Sequence, residues 1–122
     1  MSNIKGELEL DFAGKKRKFK LDFLALTTIE TRLGKPLLQI TNDMAGGNIG
    51  MTNMAIILDE ALKSGGGKYT FEAVGNLIMQ NGFTKSFEIV SKLVQNLMDA
   101  QETTDPKEET KNEETQKYLF YQ

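Results

Sequence analysis

The stretch G-E-L-E-L-D-F-A-G-K-K-R-K-F-K-L-D-F, residues 6–23, decides how the fold begins. Apolar residues alternate on both sides of A-G-K-K: Leu8, Leu10 and Phe12, with Ile4 ahead of them, then Phe19, Leu21 and Phe23. A period of two marks a half-buried strand, and two such runs about a glycine turn read as a β-hairpin. Gly14 supplies the turn, and Glu7, Glu9 and Asp11 can pair with Lys16, Lys18 and Lys20 across the exposed face. The basic run Lys15–Lys18 reads as a solvated turn, not a phosphate grip, because acidic strand residues surround it and no second basic stripe accompanies it. A lone two-stranded ribbon is marginal in water, so its apolar face must lie on the segments C-terminal to it.

Those segments have the helical period. Leu26, Ile29 and Leu33 are spaced i, i+3, i+7 before Gly34-Lys35-Pro36 ends the run, and Leu37, Ile40 and Met44 repeat the spacing up to Gly46-Gly47. Met51, Met54, Leu58 and Leu62 form a third stripe, with Thr52 or Asn53 as candidate caps and Gly65-Gly66-Gly67 behind. Thr70 can cap a fourth helix with Phe71, Val74 and Ile78 inward, ended by Asn81-Gly82, and a fifth carries Phe87, Val90, Val94, Leu97 and Met98. The fold class expected is α+β and mainly α: an N-terminal two-stranded β-hairpin packed on a bundle of about five short helices. Residues 1–100 form this one domain. Residues 101–122, with no apolar residue before Tyr118, are expected to be a flexible, acidic tail with an aromatic end.

The 122 residues carry no cysteine and no histidine, which removes thiol nucleophiles, imidazole bases, disulfides and the usual zinc ligands together. A non-enzymatic role is expected, with no cofactor and no metal. The formal charge of −2 offers no basic face for nucleic acid, and no apolar run approaches the roughly 20 residues that span a bilayer. The start M-S-N-I-K-G-E has no signal-peptide core, so a cytoplasmic location is expected.

Four features invite a sharper reading. Ser64–Tyr69, S-G-G-G-K-Y, lacks the first glycine and the Ser/Thr of a phosphate loop and comes after a helix, so it reads as a connection between helices. Asp59-Glu60 are expected on the exposed side of their helix. Met44, Met51 and Met54, three of six methionines, have core spacing but could also form an adaptable partner-binding surface. Tyr118, Leu119, Phe120 and Tyr121 either fold back on their own domain or act as a tethered motif for a partner groove.

The segment from Gly6 to Leu37 resembles the opening of the small tail assembly chaperones of long-tailed phages and gene transfer agents, with a Gly-Glu strand, a hairpin, a helix with a central Glu30, then Leu-Gly-Lys. A-I-I-L-D-E-A-L-K-S-G-G-G, F-E-A-V-G-N-L-I-M and the stretch from Phe83 to Ala100 are similar, in order, to its later blocks. The tail departs from it, since many relatives stop soon after the last helix. The resemblance implies a non-enzymatic chaperone that coats the tape measure protein in the host cytoplasm, helps to recruit tail tube subunits, and is absent from the mature virion. Its implied partners are the tape measure protein and the tail tube protein, with homo-oligomer formation left open and no nucleic acid or membrane involved. The alternative is a tube-associated structural component retained in the virion.

Overall fold

In the structure, a computed structural model that describes residues 7–102 with side chains through Met98, β1 (Glu7–Phe12) and β2 (Lys15–Lys20) pair antiparallel. Glu7 stands opposite Lys20, Glu9 opposite Lys18 and Asp11 opposite Lys16, the charge ladder expected from the alternation. Ion pairs join Lys16 to Asp11 at 3.6 Å and Lys18 to Glu7 at 3.5 Å. Ala13 and Gly14 turn the chain with φ 54° and 90°, positive at both positions as a tight two-residue hairpin connection demands. The strained alanine is held by its N–H, which donates to Asn81 Oδ1 at 3.0 Å. Lys15–Lys18 therefore belongs to a strand and not to the turn, because the connection is only two residues long.

The other face of the hairpin is apolar, with Phe12 and Phe19 fully buried and their rings 5.8 Å apart. The alternation continues past the strand only to the buried Leu21. Asp22 then accepts the N–H of Ala25 at 2.9 Å and starts α1 (Phe23–Leu33), which turns Phe23 out to 81% exposure. Phe23, expected on the strand's inward face, is a helix-start residue in solvent.

Gly34, at φ 71°, closes α1 in the left-handed conformation, and α2 (Leu37–Ala45) begins three residues later. Next come α3 (Met51–Ser64), α4 (Phe71–Asn81) and α5 (Phe83–Glu102). Thr70 caps α4 as its position implies, accepting the Ala73 N–H at 3.0 Å. Neither Thr52 nor Asn53 caps α3, whose N-cap is Gly50 with no side-chain bond. Met54 to Leu62 are buried without interruption, because α3 sits in the middle and packs against β2, α1, α4 and α5. The result is the mainly helical body with an N-terminal hairpin that the sequence implies, although α5, at 20 residues, is long.

That central position overturns the expected exposure of Asp59 and Glu60. They are 3% and 8% exposed, and Arg32 of α1 reaches across to donate to Asp59 Oδ2 at 2.9 Å and Glu60 Oε2 at 2.6 Å. Lys63 adds longer contacts of 3.8 and 3.7 Å. Burying two carboxylates is tolerable only with such charged partners.

The glycine-rich connection after α3 is a packing element. A Cβ on Gly65 would lie 2.5 Å from the carbonyl oxygen of Lys18, so the loop fits against β2 only without a side chain. Nearby, Arg17 donates to Tyr69 Oη at 2.8 Å and to the Phe12 carbonyl at 2.7 Å, tying hairpin to loop. No helix of the described residues is long and apolar enough to cross a membrane.

Candidate partner-binding groove

Among the described residues, the helix stripes leave some large apolar side chains exposed. α3 contributes Met51, Thr52 and Ala55 from its first turns, and α4 contributes Phe71, Glu72, Gly75, Asn76 and Met79. Together they line a groove of about 380 Å³. Met51, Phe71 and Met79 are 38%, 44% and 69% exposed in it. Gly75 keeps the groove open, since a Cβ there would meet nothing within 4 Å. Two thioethers beside an aromatic ring make a surface that can repack around different apolar contours.

One wall is fixed from behind. The guanidinium of Arg32 lies 5.3 Å from the centre of the Phe71 ring and is itself anchored by Asp59 and Glu60. Burial works against the Arg32 charge, but hydrogen bonds and charge attraction from the two carboxylates outweigh it and raise the arginine's affinity for its proton. Phe71 therefore stands on a permanently charged platform, which a cation–π contact of this length favours.

A second concavity of about 160 Å³ lies between Gly47, Ile49, Phe83, Thr84 and Phe87. It adjoins the first along the chain, since Ile49 and Met51 flank Gly50 and Phe83 comes after Met79 by one helical turn's length of sequence. A groove of about 400 Å³ between the hairpin and α5 is different in kind, lined by Glu9, Asp11, Lys16, Lys85, Glu88 and Lys92 among others. Its charges alternate in sign, so it offers no concentrated field to an ion.

Of the three methionines proposed as partner contacts, only Met51 reaches the groove. Met44 is 7% exposed and Met54 fully buried, because both lie on the inward stripes of their helices. Tyr118, Leu119, Phe120 and Tyr121 lie outside the described residues, as does the rest of the tail beyond Glu102. Sequence reasoning missed Met79 and placed Phe71 inward. The available signal was that Met79 lies one step off the face of the Val74–Ile78 stripe.

A family model described as phage tail tube protein, GTA-gp10, matches residues 5–100. No curated protein and no solved structure matches the chain.

Proposed function

Since the chain belongs to the phage tail tube protein (GTA-gp10) family, we propose that it serves tail assembly as a non-enzymatic chaperone for the tape measure protein. The observation that carries this reading is the α3/α4 groove, an open apolar channel bounded by Met51, Phe71 and Met79 on a helical body. An amphipathic helix laid into such a groove buries its i, i+3, i+7 side chains, which is how a long helical protein can be kept from aggregating. In this role the protein works in the host cytoplasm, yields its client as tube subunits arrive, and performs no turnover.

The test is co-expression with the tape measure protein of the same phage. Soluble complex that disappears when the chain is omitted supports the proposal, whereas a tape measure protein equally soluble alone removes the need for a chaperone.

A second reading, a structural component retained in the tail, is favoured by the family's description as a tube protein. Against it stands the architecture: a tube ring is built from extensive sheet, and the described residues contain one sheet of two strands. Mass spectrometry of purified virions separates the two, because an abundant structural subunit is present in them and a displaced chaperone is not.

A further inference from the structure

We propose that the α3/α4 groove is occupied, before any partner arrives, by the Tyr118–Tyr121 segment of the same chain. The inference rests on reading the groove as a docking site and not on which partner later displaces the segment. Met51, Phe71 and Met79 leave apolar surface in solvent around one channel. Between Glu102 and Tyr118 the chain offers nothing apolar to cover it, and then presents Tyr118, Leu119, Phe120 and Tyr121 together.

Length decides whether the segment can arrive. α5 begins at Phe83, four residues after the groove residue Met79, and its 20 residues carry the chain about 30 Å away from that end. The stretch of roughly sixteen residues from Glu102 to Tyr118 spans about 55 Å when fully extended. Its root-mean-square span as a random coil is about 22 Å, and like charges extend it further. The return of about 30 Å is therefore within reach without unravelling α5. At such a span the tethered segment has an effective concentration on the order of millimolar, about a thousandfold above a free second copy at micromolar concentration. A weak motif thus docks in its own chain before it docks in another. A groove of about 380 Å³ has room for two or three of the four side chains, which leaves a longer client helix able to displace the segment.

Because the chain has no cysteine, the contact can be read by disulfide trapping in the full-length protein. Thr52→Cys places a thiol in the groove, Gln122→Cys places one beside Tyr121, and Lys92→Cys with Gln122→Cys is the control on the exposed side of α5, closer along the chain to the tail's origin. Both pairs share the tether, so it is docking in the groove that should make the Thr52 pair close an intramolecular disulfide about tenfold faster than the Lys92 pair. Adding Leu119→Ala and Phe120→Ala should abolish that advantage. Equal or faster closure of the Lys92 pair overturns the proposal, as does an advantage that survives the alanine substitutions. Disulfide-linked dimers in place of closed monomers also overturn it, assigning the groove to a second copy. None of these readouts requires the tape measure protein, so failure here leaves the chaperone proposal to its own test.

Discussion

The carboxylate of Glu30, one turn before the end of α1, accepts the backbone N–H of Leu37, the first residue of α2, at 2.7 Å. Pro36 cannot cap α2 with its side chain, so a residue of the preceding helix does it. Glu30→Ala should cost about 1 kcal/mol, a normal cap loss, while Glu30→Gln, which keeps the acceptor, should cost less. Urea midpoints of the two variants check this.

Removing Arg32 leaves Asp59 and Glu60 buried with only the distant ammonium of Lys63. Arg32→Ala should lower stability by about 3 kcal/mol, toward the smaller end for a broken buried pair because Lys63 remains. Arg32→Lys should recover only part of the loss, since one ammonium cannot reproduce the guanidinium's two bonds and its stacking on Phe71. Thermal unfolding compares the three proteins.

Gly65→Ala drives a methyl group into the Lys18 carbonyl, a backbone group that cannot swing aside. A loss of about 1–3 kcal/mol is expected, as for other overpacked sites. Increased amide exchange in β2 should accompany it, because the hairpin must shift to make room.

Asp22 has its pKa lowered from 3.8, chiefly by the Ala25 N–H that it caps, with burial opposing. A carboxylate with a depressed folded-state pKa adds stability above its unfolded value, and that stability is lost as the pH falls through the folded value. Stability should thus decline as the pH drops below 3.8. In Asp22→Asn, which can still cap but does not titrate, this part of the decline should be missing from denaturant midpoints measured across that range.

Within the groove, stability and binding should part company. Gly75→Ala should stabilise α4 by about 0.5–1 kcal/mol through helix propensity, yet narrow the channel that it floors. Met79→Asp should leave the fold intact, since Met79 is 69% exposed, but weaken capture of a tape measure helix at least about tenfold. Pull-down yield plotted against unfolding temperature checks both.

What could be read from the chain was whatever depends on near neighbours. The alternation from Glu7 to Lys20 specified strand pairing, Thr70 a helix start, and Gly34 before Pro36 a helix end. What escaped depends on partners far along the chain: Asp59 and Glu60 look like surface residues until Arg32, 27 and 28 positions away, is seen to cover them. The groove escaped for the opposite reason. Helical spacing marks Met51 and Phe71 as candidates for a core, but it cannot reveal that no element of the described residues covers them.

The central place of α3 has a consequence for how the protein is made. A helix buried from Met54 to Leu62 and facing β2, α1, α4 and α5 finds no half-assembled refuge, because each missing neighbour leaves a side of it in water. The hairpin, α1 and α3 cover one another first, but the sides of α3 toward α4 and α5 stay in water until α5, the last described element, closes over them. The body should complete in one cooperative step once α5 is available, with the slowest-exchanging amides clustered in α3.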